Sequence, residues 1–176
     1  GFFGLLKNKT NQVNSNLFHR SANLISHRGP DKSKFISTKN LYLKFFRLSI
    51  IDLTSKAMQP MISQDKRYYM AFNGEIYNAK EIKNTYLQNF SFKSKSDSEV
   101  LFNLLIKKKE KALKHLEGMF SFIFFDKEKN EIILARDRFG IKPLYYLFEN
   151  GDLIFSSEIK PILMYRKRIS LDEENC

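Results

Sequence analysis

Residues 119–125, MFSFIFF, and residues 131–135, EIILA, are the part of the sequence that decides the fold. A charged segment, Lys127 to Asn130, separates these two short apolar runs, as in a β-hairpin. The first run is apolar at nearly every position, so both of its faces need cover. Two stacked sheets with helices outside them provide that cover. We therefore predict an α+β fold, a four-layer αββα sandwich.

The predicted elements on either side of this hairpin alternate between strands and helices. Asn150-Gly151 is typical of a type I′ turn. Ser15 is expected to cap the first helix, Ser96 and Glu99 to form a capping box, and Pro161 to interrupt the last helix. The remaining strands are predicted at 2–6, at two runs within 34–51, and at 68–72, 144–148 and 153–157. The helices are predicted at 15–25, 78–87, from 96 onward, 111–116 and 158–165.

The composition indicates one soluble domain spanning residues 1–176. Hydrophobic residues make up 43% and charged residues 28% of the chain, which excludes global disorder. The net charge of +11 comes mainly from scattered lysines, and the densest lysine run lies at a predicted helix end. A nucleic-acid partner is therefore not expected.

The cysteine and histidine content excludes two further kinds of site. Cys176 is the single cysteine, so no disulfide forms within the chain and a reducing compartment is favoured. The three histidines lack metal-ligand spacing, so no metal is expected. No apolar run reaches the ~18–20 residues of a membrane span, and no signal peptide is recognisable at the start. We expect a cytoplasmic location without membrane contact.

The segment Asn73-Gly74-Glu75 follows a predicted strand and has two interpretations. The Asn73 amide offers N–H donors and Gly74 allows close approach of its backbone N–H, so the pair is suited to stabilising an oxyanion. Asn-Gly is also the commonest dipeptide of hairpin turns. Taken alone, the segment favours the turn.

Two charged residues have a similar double interpretation. Arg47 ends an apolar run, where its planar guanidinium is suited to a carboxylate or is a surface charge at a strand end. Asp97 begins a predicted helix, where it is suited to an ammonium group or stabilises the helix dipole.

Two further polar segments are interpreted as structural. Residues 27–31, HRGPD, are typical of a helix end, with Asp31 capping the next segment. Residues 136–143, RDRFGIKP, are dense in charge between apolar strands, which indicates an internal ion-pair cluster or an interface.

Taken together, these segments make the sequence resemble the N-terminal domain of asparagine synthases. That domain belongs to the class II glutamine amidotransferases and the N-terminal-nucleophile hydrolases. The matching segments follow the family's order over nearly the whole chain: 1–4 (GFFG), 27–31 (HRGPD), 47–53 (RLSIIDL), 59–60 (QP), 72–78 (FNGEIYN), 96–99 (SDSE), 116–120 (LEGMF), 135–146 (ARDRFGIKPLYY) and 156–160 (SSEIK).

The resemblance implies an αββα sandwich and a glutamine site. Asn73 and the backbone N–H of Gly74 resemble the oxyanion hole. Arg47 resembles the clamp on the glutamine α-carboxylate, and Asp97, with Glu75 nearby, the partner of its α-ammonium group. The main chain of Leu48, Ser49, Ile50 and Ile51 resembles a wall of the same pocket.

The resemblance also implies a cysteine nucleophile whose free α-amine is the base. Since the family begins Cys-Gly-Ile-x-Gly, Gly1 matches the residue after that cysteine. Cys176 lacks the free α-amine and does not replace it. An omitted modified cysteine or a fragment is favoured over a chain that begins at Gly1 and is inactive, because the pocket residues remain.

The implied reaction is hydrolysis of L-glutamine to glutamate and ammonia for ATP-dependent amidation of aspartate. The resemblance implies no cofactor in this domain. It places Mg-ATP in a C-terminal synthetase domain that this chain lacks, and leaves a homodimer open. The alternatives are a class II amidotransferase for another acceptor, as in surface-sugar synthesis, and a catalytically dead glutamine-binding domain.

Overall fold

The computed structural model describes residues 1–8, 13–47 and 58–166. Its strands are β1 Phe2–Leu6, β2 Lys32–Ser37, β3 Leu41–Arg47, β4 Met61–Ile62, β5 Tyr68–Ile76, β6 Gly118–Asp126, β7 Glu131–Arg136, β8 Tyr145–Glu149 and β9 Asp152–Ser156. Its α-helices are α1 Ser15–Asn23, α2 Ala79–Tyr86, α3 Asp97–Lys108 and α4 Ile159–Arg166, and 3-10 helices cover Ser26–Arg28 and Lys109–His115.

The strands form two antiparallel sheets. Sheet A has the order β2-β3-β1-β9-β8, and sheet B has the order β4-β5-β6-β7. Strand β1 lies in the middle of sheet A, where Phe2 is opposite Phe45 of β3 and Phe3 is opposite Ser156 of β9. The start of the chain is therefore held inside the sheet by both neighbouring strands.

The alternation of side chains along β6 explains why the run MFSFIFF is apolar on both faces. Ile123 and Phe125 pack between the sheets, in one cluster with Phe2 of sheet A. Phe122 and Phe124 point the other way, into the cluster that sheet B forms with α2 and α3. Period-two alternation divides each strand between two cores in this way.

A second helical layer covers the outer face of sheet A. Phe18 of α1 and Ile162 of α4 pack against Phe3 and Leu5 of β1. The order of layers is thus α1 and α4, sheet A, sheet B, α2 and α3. The predicted four-layer αββα sandwich is confirmed.

Several predicted boundaries were wrong, each for a local reason. Asn14 caps α1 instead of Ser15, because its side chain accepts a hydrogen bond from the backbone N–H of Leu17. The helix also ends at Asn23, before the 3-10 turn. Helix α4 continues through Pro161, which lies in its first turn, where a backbone N–H has no partner within the helix.

The predicted type I′ turn and the predicted capping box had different outcomes. Asn150 and Gly151 both have positive φ, +52° and +81°, as a type I′ turn requires. Ser96 caps α3 by accepting from the backbone N–H of Glu99. The carboxylate of Glu99 does not return to Ser96; it accepts from the backbone N–H groups of Lys93 and Ser94 and so anchors the preceding loop.

Across the described ranges, no helix has the length and apolar character that crossing a membrane requires.

Candidate active site

Asn73 lies inside a strand, so the turn interpretation was wrong. Strand β5 extends to Ile76, and Asn73 pairs there with Ser121 of β6. By alternation, its side chain is on the same face as Ala71, which packs between the sheets. The Nδ2 atom of Asn73 is buried and has no hydrogen-bond partner among the described residues. A buried donor without a partner is costly, and a ligand oxygen is one way to satisfy it.

Gly74, the next residue, has a backbone conformation that requires glycine. Its φ is +150°, and a Cβ there would overlap the carbonyl oxygen of Met119. Gly118 on β6 has φ +152° and faces Glu75 in the same way. The two glycines allow this end of the paired strands β5 and β6 to deviate from regular strand geometry. The backbone N–H of Gly74 is thus the next donor along the chain after Nδ2 of Asn73.

Asp97 lies beside this end of β5. Its carboxylate accepts from the backbone N–H groups of Ile76, at 2.8 Å, and Ser98, at 2.8 Å. Burial raises the pKa of Asp97; the two N–H groups oppose this shift, and the nearby Glu75 adds to it. The net pKa is raised, so a cation bound next to Asp97 would stabilise the charged form of its carboxylate.

Arg47 is at the end of β3 in the facing sheet. It is 7% exposed and lies on the same face as Phe45, toward sheet B. The strand therefore carries a guanidinium into the space between the sheets rather than to the surface, so the surface interpretation was wrong. The predicted wall residues Leu48, Ser49, Ile50 and Ile51 lie outside the described residues, and their role stays a prediction.

The start of β1 lies directly against the end of β3. The amino group of Gly1 donates to the carbonyl oxygen of Phe46 at 2.8 Å, and the N–H of Phe46 donates to the carbonyl oxygen of Gly1. The pKa of this amino group is lowered from 8.0 to about 5, mainly by burial and then by the charge of Arg28. Glu158 opposes the shift and Lys142 adds to it.

Sequence reasoning missed Arg28 and Glu158 as neighbours of this position. Arg28 packs over Gly1, and a Cβ on Gly1 would be 3.0 Å from its Nε atom. Gly29 makes the approach feasible, because a Cβ there would overlap the backbone of Phe46. The glycine after Arg28 was the available signal of this close backbone contact, but the segment was interpreted as a helix end.

The segment 136–143 is not an ion-pair cluster. The buried Asp137 carboxylate accepts hydrogen bonds from the backbone N–H groups of Phe120, Phe139, Ile141 and Lys142. Burial raises the pKa of Asp137, but these hydrogen bonds outweigh it, so the net pKa is lowered. The side chain of Arg136 donates to the carbonyl oxygens of Gly140 and Lys142. The interface interpretation remains, since the side chain of Phe139 is 91% exposed.

The described candidate residues thus occupy three places. Asn73, Gly74 and Glu75 are consecutive on β5, and Asp97 is hydrogen-bonded to the same strand at Ile76. Arg47 is in the facing sheet, next to the residue that holds Gly1. This arrangement offers donors for a developing negative charge and groups of opposite sign for a zwitterion.

Comparison with known proteins identifies the family. The family model of the glutamine amidotransferase domain matches residues 1–175. This chain belongs to the glutamine amidotransferase domain family. It is 39% identical over 165 residues to asparagine synthetase [glutamine-hydrolyzing] 2 of Bacillus subtilis (strain 168), covering 94% of this chain and 22% of that protein. It is 40% identical over 141 residues to asparagine synthetase B [glutamine-hydrolyzing] of Escherichia coli (strain K12), covering 80% of this chain and 25% of that protein.

Solved structures support the fold of this amidotransferase domain. An allosteric regulatory enzyme of purine biosynthesis matches with a TM-score of 0.77 at 18% identity, over 94% of this chain and 43% of that one. The glutamine phosphoribosylpyrophosphate amidotransferase of B. subtilis matches with a TM-score of 0.73 at 20% identity, over 94% of this chain and 43% of that one. The domain therefore has the same fold as these two enzymes. It spans about a quarter of the length of its curated relatives.

Proposed function

We propose that this domain is the glutaminase part of a glutamine-hydrolysing asparagine synthase. It hydrolyses glutamine to glutamate and ammonia, and a further part of the protein uses the ammonia for ATP-dependent amidation of aspartate. The proposal is supported by relatives of that name at 39–40% identity. The single cysteine in the chain also favours the cytoplasm over an oxidising compartment.

The observation that carries the proposal is the Nδ2 atom of Asn73, next to Gly74, which is buried and pairs with no residue in the described ranges. Hydrolysis of an amide places negative charge on the former carbonyl oxygen. Preorganised N–H donors stabilise that oxygen, and a donor that is free before the substrate binds needs no rearrangement. Asn73 and the backbone N–H of Gly74 therefore form the oxyanion hole.

The two ends of the glutamine zwitterion are assigned to opposite charges on two different elements, the end of β3 and the start of α3. Arg47 from sheet A binds the α-carboxylate, since a planar guanidinium matches a carboxylate with paired hydrogen bonds. Asp97, with Glu75 nearby, binds the α-ammonium group, which removes the cost of burying the Asp97 charge. Binding at both ends directs the side-chain amide toward Asn73.

The nucleophile is assigned to a cysteine that precedes Gly1. Antiparallel pairing sets Phe2 opposite Phe45, so a preceding residue would continue the register opposite Arg47. Alternation would turn its side chain to the same face as Phe2, between the sheets. The position is thus suited to attack on a glutamine bound by Arg47.

The reaction is acyl transfer in two steps. The cysteine sulfur attacks the amide carbon, and the α-amine takes the thiol proton and passes it to the leaving ammonia. Water then adds to the thioester, releasing glutamate and regenerating the thiol. Burial and the charge of Arg28 favour the neutral form of an amine near Gly1, which is the form that accepts a proton.

The partner is assigned to the rest of the same chain, docked on the side where both sheets end. Strands β7 and β8 are the edge strands there, and the segment between them exposes Phe139 and Ile141, at 91% and 55%. Exposed apolar side chains beside open edges indicate an interface. In the full-length protein, amide hydrogens of residues 138–146 should be protected from exchange; free exchange would contradict this docking, and protection that depends on protein concentration would indicate a second copy.

The proposed function is tested by sequencing the N-terminus of the purified source protein and measuring ammonia release from glutamine. The proposal expects a cysteine before Gly1 and glutamine-dependent ammonia release, with asparagine as the final product. A mature chain that starts at Gly1 and binds glutamine without releasing ammonia would establish the inactive alternative. Ammonia release without amidation of aspartate would indicate another acceptor.

A further inference from the structure

Glu158 directly follows Ser157, the residue whose backbone and side chain are hydrogen-bonded to Phe2 at the start of β1. The backbone N–H of Phe2 donates to the hydroxyl of Ser157 at 3.0 Å, and the N–H of Ser157 donates to the carbonyl oxygen of Phe2 at 2.9 Å. The backbone N–H of Glu158 in turn donates to the hydroxyl of Ser156 at 3.2 Å. The position of Glu158 is thus determined relative to Gly1 by hydrogen bonds on the same strand pair.

The Glu158 carboxylate contacts the side chains of His27 and Arg28. Its Oε1 atom is 2.8 Å from Nε2 of His27 and accepts from Nη1 of Arg28 at 3.3 Å. Burial raises the pKa of Glu158, but the hydrogen bonds from His27 and Arg28 outweigh it, so the net pKa is lowered. Glu158 is therefore a fixed negative charge at neutral pH.

Arg28 connects this carboxylate to the start of β1. Its side chain packs over the Cα atom of Gly1, while its guanidinium is hydrogen-bonded to Glu158. Its Nε atom is buried and makes no hydrogen bond within the described part of the chain. One end of the guanidinium is thus anchored by Glu158, and its Nε–H lies beside Gly1.

We infer that Glu158 is a positioning residue for glutamine hydrolysis, holding Arg28 against the N-terminal end of β1 and balancing its charge there. This inference rests on the proposed function, because the α-amine next to Gly1 is the base of that reaction. The charges that act on the amino group at Gly1, the neighbouring position, are Arg28, Lys142 and Glu158. His27 faces it through Glu158.

The physical consequence of removing the Glu158 charge has a definite sign. A nearby negative charge stabilises an ammonium group and raises its pKa, whereas Arg28 and Lys142 lower it. In Glu158→Gln, the charge of Arg28 is no longer balanced, and the pKa of the amine falls. The neutral, basic form of the amine then persists to lower pH, although the base is weaker and Arg28 is less firmly held.

The test compares the mature full-length protein with Glu158→Gln, Glu158→Asp and a matched control, Glu149→Gln. Glu149 also binds an arginine, Arg166 at 2.8 Å, in the β8–α4 region. We expect Glu158→Gln to lower kcat for glutamine hydrolysis roughly tenfold to a hundredfold, the cost of a small misplacement near reacting groups. KM for glutamine and synthesis from free ammonia should change little. Glu149→Gln should match the wild type.

The pH profile distinguishes positioning from a merely structural role. The acid limb of kcat/KM should move to lower pH in Glu158→Gln and return toward the wild-type position in Glu158→Asp, which keeps the charge. NMR titration of the N-terminal amine should show a matching fall in its pKa in Glu158→Gln. A folded Glu158→Gln with unchanged kcat and unchanged amine pKa would overturn the inference. Absence of ammonia release from the wild type would instead refute the proposed function, and the amine titration would still decide the role of Glu158.

Discussion

Asp97 and Asp137 are two largely buried carboxylates whose pKa values shift in opposite directions. Asp137 accepts hydrogen bonds from four backbone N–H groups, and its pKa is lowered. Asp97 accepts from Ile76 and Ser98, lies near Glu75, and its pKa is raised. The protein itself thus satisfies the charge of Asp137, whereas the charge of Asp97 is only partly satisfied.

The same contrast separates two regions of the molecule. The loop around Asp137 has its polar groups paired internally, which is the pattern of a structural site. The end of β5 has a desolvated carboxylate at Asp97 and, at Asn73, a buried Nδ2 atom that no described residue pairs with. Incomplete pairing inside a well-packed fold indicates where a ligand belongs. We therefore expect variants in the two regions to fail in different ways.

The largest effect is expected at the unpaired donor. Asn73→Ala should lower kcat for glutamine hydrolysis by roughly 10²–10³, the cost of removing one oxyanion donor. Synthesis from free ammonia should be unchanged, because it bypasses this domain. The measurement is steady-state kinetics with each nitrogen source. Unchanged hydrolysis would remove Asn73 from the site.

The next effect is on stability and occurs in the other region. Asp137→Asn should lower the free energy of unfolding by about 2–3 kcal/mol, since hydrogen bonds to a charged group contribute about 1.5–3 kcal/mol. Because the folded pKa of Asp137 is depressed, its contribution is present above the unfolded pKa and is lost as pH falls through the folded pKa. Denaturant unfolding of the wild type and of Asp137→Asn at neutral and acid pH measures the loss of stability and its dependence on pH. If the difference in unfolding free energy between the wild type and Asp137→Asn persisted unchanged at acid pH, the stabilising role of the Asp137 charge would be contradicted.

Arg47→Ala should act on binding rather than on chemistry. Losing the clamp on the α-carboxylate should raise KM for glutamine roughly tenfold or more, while use of free ammonia remains intact. Loss of the ammonia-dependent reaction as well would indicate that Arg47 has a structural role in β3.

The smallest effect sharpens the contrast between the two carboxylates. Asp97→Asn should raise KM for glutamine and change the free energy of unfolding by less than about 1 kcal/mol, the range of a helix-dipole contact. Because the folded pKa of Asp97 is raised, its contribution to stability is present below the unfolded pKa and is lost as pH rises through the folded pKa. In the wild type, KM for glutamine should rise on acidification through that pKa, because protonation removes the negative charge that binds the α-ammonium group. A KM that is independent of pH would contradict the role of Asp97 as the ammonium partner.

The sequence predicted the layers because periodicity records burial. The apolar run in β6 required cover on both faces, and the structure provides it. The residues Asn73 and Asp97 were identified from the resemblance, since each had a local structural explanation in the sequence, and for Asn73 the turn was the favoured one. Arg28 and Glu158 were missed because they are 130 residues apart and meet only through the pairing of β1 with β3 and β9. Gly29 indicated a close backbone approach, but nothing local in the sequence identified Glu158 as the partner of Arg28.

The most direct test is a crystal structure of the full-length protein with glutamine bound and the expected cysteine replaced by alanine. The predicted structure has the α-carboxylate at Arg47, the α-ammonium group at Asp97 and the side-chain amide oxygen within hydrogen-bond distance of Nδ2 of Asn73. Glutamine bound away from the end of β5, with Nδ2 of Asn73 still unpartnered, would contradict the assignment of this region as the glutaminase site.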